Sequence, residues 1–590
     1  MSSSTQVVPD TGADQSTPQP TLRPGPWREW FLERGLLVRI AVFVVAGVLL
    51  VLLVYPITRM IVRALFPDGA LDLSVFARTV EQPWFWPAVT DTAIVVGCAS
   101  VIALVLASLL AWLNERTDAG LGWLGGFMPL MPLLMPPIAT AAGWTFLASP
   151  KIGFLNGLLE ALPGSPSVDI LTMPGLIFIY VLEMIPYAYI PISGALRNID
   201  PALEEASRVS GAGIIQTLVR VALPAVSQAL VSAFFLLVVV GFAIYSAPVV
   251  IGTNAGIEIL SVRIVKLMQF TYPADLPSAT VLTTLLLTVV LAAWLLQQAV
   301  TKRARHAMIS GRSGQSRVSL GRWRHWLRAL TIVYLILTTV LPLIAVIVVA
   351  LQPYWTNTID PSVFTLDHFE RIFRRRNTTS ALRTSLILGA VGGFIAIAVC
   401  VLIGLAKRRT SFGQILGPRA STFIDAVMRL PGAFSHIVIA LGFIVAFSGP
   451  PFNLNGTVLI LLLCYLVAFM PQASTNTANA LSQIGGDLTE ASYMSRASEA
   501  RTNGRIVLPL ALPGLLSSWA LLFMLFVSEV SASTMLSGSK TPVIGFVLVE
   551  SWENGTVGPM AAFALVVTVI NSCAVVALLL LGRQRFRNRR

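Results

Sequence analysis

The sequence has little charge for its length. Only 12% of its 590 residues are charged, about half the share expected of a soluble domain, whereas 55% are hydrophobic. The mean hydropathy is +0.77. A surface that faces water cannot be built from this composition over most of the chain, which excludes an ordinary cytosolic enzyme and makes lipid the expected solvent.

Cysteine and histidine are also scarce, with four residues of each. All four cysteines lie inside apolar runs, without CxxC spacing or a histidine partner, and therefore predict neither a disulfide nor a metal site. They are Cys98, Cys400, Cys464 and Cys573. A membrane-embedded enzyme would need a cluster of acid, base or metal-binding side chains, and no such pattern is present in the sequence.

The net charge of +13 does not indicate nucleic-acid binding, because the basic residues lie between apolar runs instead of on one hydrophilic domain.

Apolar runs near 20 residues, long enough to cross a hydrocarbon core of about 30 Å, predict twelve membrane-spanning helices. The expected spans are 37–63, 88–113, 122–148, 170–193, 228–252, 277–300, 326–351, 384–406, 421–448, 456–475, 513–537 and 559–582. The predicted fold class is an all-α polytopic membrane protein.

Lysine and arginine counts predict the orientation, since cytoplasmic segments carry the excess. With the N-terminus inside, the inner segments hold 28 of these residues and the outer segments hold 12. Both termini are therefore predicted to be cytoplasmic, in a cell (inner) membrane. One predicted outer loop runs against this bias, because Arg374, Arg375 and Arg376 cluster there.

An internal duplication divides the chain. Residues 180–224 align with residues 465–509 without a gap, and 16 of the 45 positions are identical. Six spans per half make the two units a parallel repeat about an axis along the membrane normal. The predicted segments are a disordered cytoplasmic tail 1–35, a first unit 36–300 with loop 194–224, a basic linker 301–325, a second unit 326–582 with loop 479–509, and a basic tail 583–590.

The repeated loop is expected to be a short helix-turn-helix on the membrane surface. In the first copy Asp200 and Pro201 are an N-cap and a first-turn proline, and Gly211 can adopt a left-handed turn. A second short helix would then end at Pro224. The repeat is strongest in this loop, as expected where a surface must fit another protein, whereas lipid-facing positions accept almost any apolar residue.

These loops resemble the EAA loop of permease subunits in ABC importers. The first copy has the motif residues Glu205, Ala206, Ser207, Gly211 and Pro224, and the second copy has Glu490, Ala491, Ser492, Arg496 and Pro509 at the same spacing. Arg496 stands where the family has glycine, so the second turn is expected to differ in shape or to be more helical. A fused chain of two such units is most similar to the iron(III) importer class.

The resemblance implies a transport subunit without catalytic residues. Two cytoplasmic ABC ATPase subunits would contact the two loops, with ATP and magnesium bound to those subunits and no cofactor in this chain. An extracytoplasmic binding protein would deliver the substrate, which is ferric iron or, on the same scaffold, thiamine, a phosphonate or a polyamine. A secondary transporter of six-plus-six topology is the more distant alternative, but such a carrier has no reason to keep the paired loops.

Ionisable residues inside the predicted spans are candidates for a translocation pathway or gate, because burying a charge in a membrane is costly. They are Glu183, Arg429, His436 and Glu529. An alternative for Glu183 and Arg429 is a structural ion pair, for example Arg429 with Asp425. His436 is alone on an apolar helix, which favours a packed core residue over an iron ligand.

Overall fold

The computed structural model describes residues 26–587 except 67–69, 71, 122–127, 161–166, 305–317, 408, 411–412, 415, 485 and 496. The described helices of the first half are α1 Pro26–Leu65, α2 Ser74–Val80, α3 Phe85–Arg116, α4 Pro137–Ala148, α5 Phe154–Leu159, α6 Met173–Arg197, α7 Pro201–Val209, α8 Ile214–Thr217, α9 Leu223–Ala243, α10 Thr253–Ala255, α11 Leu260–Gln269 and α12 Leu276–Ala304.

The helices of the second half are α13 Arg324–Leu335, α14 Leu341–Leu351, α15 Asp367–Arg374, α16 Arg376–Ile387, α17 Gly393–Ala406, α18 Pro418–Arg429, α19 His436–Phe447, α20 Val458–Ser482, α21 Gly486–Met494, α22 Glu499–Thr502, α23 Leu508–Val527, α24 Ser531–Leu536, α25 Ile544–Glu553 and α26 Val557–Arg587. The strands within the described residues are β1 Arg409–Thr410 and β2 Gly413–Gln414, which form one short antiparallel ladder. The all-α membrane architecture predicted from the sequence is confirmed.

Ten helical segments of the described chain are long and apolar enough to cross a membrane, and they overlap ten of the twelve predicted spans. The predicted spans 228–252 and 513–537 lie too late in the chain, because the observed helices continue without interruption from the preceding loops. They are Val38–Leu65, Phe85–Arg116, Met173–Arg197, Ile214–Ala243, Leu276–Val300, Gly321–Leu351, Arg376–Ala406, Val458–Ser482, Asn503–Val527 and Val557–Val576. Two sharply bent helix pairs, Pro248–Ala255 with Leu260–Gln269 and Pro418–Ala433 with His436–Phe447, raise the number to twelve if each pair counts as one span.

The predicted third and ninth spans are not continuous helices. In the third, a 3₁₀ segment Met128–Leu134 is followed by the 12-residue α4, which is too short to cross a hydrocarbon core alone. In the ninth, α18 and its 3₁₀ extension turn by 99° into α19. Prolines such as Pro136 and Pro431 lie at these breaks, and a proline cannot donate to the helical ladder.

The broken segment of each half packs against the first span of the other half. Helix α4 lies against α14, and α19 lies against α1. Each contact is made where a glycine meets a proline, namely Gly143 with Pro342 and Gly442 with Pro56. Pro56 and Pro342 are 286 residues apart, close to the offset of 285 in the aligned repeat, so they have equivalent positions in the two first spans. The two contacts are therefore reciprocal, and they join the halves into one hydrophobic core.

The helices at the two ends of the chain extend beyond the predicted unit boundaries. Helix α1 begins at Pro26, inside the predicted tail 1–35, and α26 continues to Arg587, inside the predicted tail 583–590. Residues 1–25 and most of the linker lie outside the described part. The end of the linker lies against the loop after α3, where Val318 forms a parallel bridge with Thr117.

Candidate coupling loops and buried polar groups

The first repeated loop has the predicted helix-turn-helix shape. The Asp200 carboxylate accepts a hydrogen bond from the Ala202 N–H at 2.9 Å, and so caps α7 as expected. Gly211 has φ +87°, a left-handed conformation that side chains rarely adopt. The Ala212 N–H donates to the Ser207 carbonyl at 3.1 Å across this turn. The turn therefore reverses the chain between α7 and α8.

The second loop repeats this hydrogen bonding. The Ala497 N–H donates to the Ser492 carbonyl at 3.1 Å, as its counterpart does in the first loop. The Ser495 hydroxyl bonds the Ala491 carbonyl at 3.0 Å, and the Ser210 hydroxyl bonds the Ala206 carbonyl at 2.8 Å. Arg496 itself lies outside the described residues, so its effect on the turn stays a prediction.

A pair of hydroxyl groups closes each loop. The Ser207 and Thr217 side-chain oxygens are 3.0 Å apart, and those of Ser492 and Thr502 are 2.8 Å apart. These pairs join the first helix of each loop to the second. Sequence analysis selected the two serines and missed the threonines, although Thr217 and Thr502 are among the 16 identical positions of the repeat.

Both loops enter the next span through a π-helical turn. The turns are Leu218–Ala222 and Asn503–Val507, which are related by the duplication, and each is followed within two residues by Pro224 or Pro509. A proline has no N–H and its ring crowds the carbonyl four residues earlier, so a wider turn relieves both problems. The two prolines thus set the direction in which the chain passes from each loop into the following span.

The outer surface of both loops is apolar with an acid beside it. In the first loop four large hydrophobic side chains are 53% to 89% exposed: Leu203, Val209, Ile215 and Val219. In the second loop Leu488 is 52% exposed and Met494 is 86% exposed. Glu205 and Glu490 are exposed on the same loops. Exposed apolar groups of this kind are typical of a surface that contacts another protein or lipid, and Ile215 and Val219 already belong to the span Ile214–Ala243.

Neither motif glutamate makes an ion pair with another described residue. The preceding acid, Glu204, is buried instead and lies 3.7 Å from the Arg116 guanidinium. Burial raises the pKa of Glu204, and the charge of Arg116 opposes that rise. Arg116 also donates to the carbonyls of Leu196 and Ile199.

Arg116, the last residue of α3, therefore joins the first loop to the end of α6 and to the end of α3. The second loop has Thr489 at the position of Glu204, so it has no equivalent acid for such a pair. Sequence analysis missed Arg116 because it is 88 residues away from Glu204 in the chain. The two loops are consequently alike on their exposed faces and different in how they are held.

Two of the four candidate pathway residues, His436 and Glu529, are in contact. His436 lies at the break in the ninth span, and Glu529 lies just before α24. The His436 Nδ1 atom is 3.4 Å from the Glu529 Oε1 atom, and the imidazole lies edge-on to the Phe469 ring. Glu529 also accepts hydrogen bonds from the Ala532 and Ser533 N–H groups at 2.9 and 2.8 Å. The carboxylate therefore caps α24 and fixes the break in the chain at this point.

The other two candidates lie elsewhere. Glu183 is on α6, and its Oε1 atom is buried without a hydrogen-bond partner in the described chain. Arg429 is exposed, and the suggested pair with Asp425 is wrong, because Asp425 pairs with Lys407. Among the described residues, no three histidine, cysteine, aspartate or glutamate side chains are grouped so that they could hold a metal ion.

The fold and the paired loops define a membrane permease made of two related helical units. The chain belongs to the family of binding-protein-dependent transport system inner membrane components, whose model matches residues 22–306 and 400–587. It is thus a multi-pass transport subunit of an ABC importer.

Three relatives illustrate the range of the family. A ferric transport system permease protein FbpB from Actinobacillus pleuropneumoniae is 22% identical over 88% of this chain and 74% of the relative. A putative ferric transport system permease protein FbpB 1 from Haemophilus influenzae is 22% identical over 85% of this chain and 79% of the relative. A putative 2-aminoethylphosphonate transport system permease protein PhnV from Salmonella typhimurium is 28% identical over 39% of this chain and 84% of the relative.

Proposed function

We propose that this chain forms the membrane channel of an ATP-driven importer for ferric iron. The duplicated loop, with an exposed apolar face and an exposed glutamate in each copy, carries the proposal. Two loops provide contact surfaces for two ATPase subunits, which bind ATP and magnesium and supply the energy. A substrate-binding protein on the other side of the membrane would deliver iron to the permease.

Ferric iron is favoured because the ferric relatives match both units of the chain, whereas the aminoethylphosphonate relative matches one unit. 2-Aminoethylphosphonate is the second candidate substrate, supported by the higher identity of that shorter match. Thiamine and a polyamine are the other candidate substrates for this scaffold. The in-membrane pair of His436 and Glu529 is proposed to act as part of the gate, since it fixes a break between helices of the second half.

Uptake measurements separate the two leading substrates. The permease is reconstituted in liposomes with an ATPase that co-purifies with it and a binding protein that attaches to it, and uptake of radioactive ferric iron is compared with uptake of labelled 2-aminoethylphosphonate. We expect ATP-dependent accumulation of iron alone. Accumulation of the phosphonate, or iron uptake that continues without ATP, would refute the assignment.

We propose that the two loops and both termini face the cytoplasm, from the distribution of lysine and arginine. In a background that lacks the native cysteines, Ser210→Cys and Ser495→Cys should react with a membrane-impermeant thiol reagent only after the membrane is opened. Tyr354→Cys, at an 81% exposed position after α14, should react in intact cells. Labelling of Ser495→Cys in intact cells would contradict this orientation.

The loops are expected to respond differently to exchange of their turn residues. Gly211→Arg places a side chain at φ +87°, which costs about 1 to 2 kcal/mol and adds bulk to the docking surface. Arg496→Gly loses only a helix preference of about 1 kcal/mol. Co-purification of the ATPase at matched permease levels should therefore fall more for Gly211→Arg. A greater loss for Arg496→Gly would mean that the arginine itself contacts the ATPase.

A further inference from the structure

An unusual group of arginines lies on the face of the protein opposite the coupling loops. The span Gly321–Leu351 starts beside the first coupling loop, where Leu320 and Ile214 share a small cluster, and ends on the other side. The chain then forms α15 and α16, and these helices and the residue between them contain five arginines between residues 371 and 383. Positive charge is uncommon on this side of a membrane protein and calls for a specific reason.

Three of these arginines have no acidic partner in the described chain. Arg371 and Arg374 pair with Asp367 and Glu370 one turn away on α15. The remaining three form no ion pair with a described residue and are exposed: Arg375, Arg376 and Arg383. Their charge is therefore available to a ligand.

Helix α16 points these arginines away from the protein. Its buried face contains Thr378, Ala381 and Ser385, and the Ser385 hydroxyl accepts a hydrogen bond from the Ile544 N–H. Arg376 and Arg383 lie on the opposite, exposed face. The same face continues along the span as large exposed apolar side chains: Ile387, Val391 and Phe394, which are 47%, 46% and 67% exposed. The arginines thus extend a stripe that faces lipid.

The length of the span places Arg383 at the height of lipid headgroups. No charged residue occurs between Arg383 and Lys407, and at 1.5 Å per residue these two lie about 36 Å apart. The hydrocarbon core is about 30 Å thick, and the bilayer with its headgroups is about 40 to 45 Å thick. Both residues therefore fall in the headgroup layers, one on each side. Arg376 lies about 10 Å further out along the axis.

We propose that Arg383 binds the phosphate of an anionic phospholipid in the leaflet opposite the coupling loops, with Arg375 and Arg376 adding long-range attraction. A guanidinium group matches phosphate oxygens in a bidentate arrangement. Side chains on a helix incline toward its N-terminus, so the Arg383 side chain leans outward, away from the hydrocarbon. Phe373, 54% exposed beside Arg374, adds an aromatic side chain near the interface.

The first half lacks this site. The span that corresponds to Arg376–Ala406 begins at Phe85 and has Asp91 just before Thr92, whereas the second half has Arg383 just before Thr384. The Asp91 carboxylate accepts a hydrogen bond from the Glu258 N–H at 3.2 Å, and Trp86 is 60% exposed at the same end. Only the second unit therefore has the charge to select anionic lipid at this position.

Native mass spectrometry of the full-length chain tests the proposal, with phosphatidylglycerol and phosphatidylcholine of the same acyl chains as probes. The unmodified chain should retain phosphatidylglycerol preferentially. Arg383→Gln should weaken this retention about fivefold, because one arginine near a lipid surface contributes about that factor. Arg376→Gln should weaken it less. Arg383→Lys keeps the charge but loses the bidentate contact, so its retention should lie between those of the unmodified chain and Arg383→Gln. Arg78→Gln, on α2, is the matched control and should have no effect.

Any of four outcomes would overturn the site. Equal retention of the two lipids by the unmodified chain would show that the chain does not select anionic lipid. Unchanged retention in Arg383→Gln would exclude this arginine as the contact, and co-elution with the unmodified chain on gel filtration shows that the variant is folded. Competition by millimolar inorganic phosphate would indicate a free-anion site, and loss of binding-protein attachment with lipid retention intact would indicate a protein contact.

Discussion

Reversing the charge at Glu205 or at Glu490 is expected to abolish ATP-dependent uptake and substrate-stimulated ATP hydrolysis. Both glutamates are exposed beside apolar side chains that a partner would cover. A lysine at either position would place an unpaired charge of the wrong sign in that contact. Removing or reversing one member of a buried charged contact typically costs 2 to 5 kcal/mol, or at least about 30-fold in affinity.

The measurement is ATPase co-purification followed by hydrolysis and uptake in liposomes, with each variant at equal permease level. Glu160→Lys is the matched control, because Glu160 is an exposed acid outside both loops and should leave all three readouts unchanged. Since neither motif glutamate pairs with a described residue, the substitutions should not disturb the fold. Normal uptake by both variants would show that these acids are ordinary solvated residues.

The membrane spans could be predicted because a long apolar run has few alternatives in a bilayer. The segment Val458–Ser482 is recognisable from length and composition alone. The third and ninth segments are apolar too, but prolines interrupt them and both break. An apolar run shows that a segment is buried and does not show whether its hydrogen bonds continue past a proline such as Pro431, because tertiary contacts decide that.

The coupling loops could be located from the repeat, but the partners within them could not. Glu204 and Glu205 are neighbours in the sequence, and one helical step of about 100° buries the first and exposes the second. Which of them faces the protein depends on where Arg116 lies, and that position follows from the packing of α3 against α6. The contact between His436 and Glu529 likewise joins residues 93 positions apart.

The second large effect is expected on stability, when a side chain is added to a glycine at the contact between the two halves. A Cβ atom on Gly143 would lie 2.7 Å from the Pro342 carbonyl oxygen and 2.8 Å from its Cα atom, which are backbone atoms and cannot move aside easily. A Cβ atom on Gly442 would lie 3.2 Å from the Pro56 Cβ atom, where a small shift is enough. Small residues at such crossings let two helix backbones approach closely.

Gly143→Val should therefore destabilise the permease by about 1 to 3 kcal/mol or more, and Gly442→Val should cost less. Thermal unfolding of the purified full-length chain in detergent measures the difference. Gly47→Val on α1 and Gly97→Val on α3 are the controls, because a Cβ atom at either position meets nothing within 4 Å. Both control variants should unfold within a degree or two of the unmodified chain. Equal losses for Gly143→Val and Gly47→Val would mean that valine disturbs any of these spans, and that the approach of α4 to α14 is not the cause.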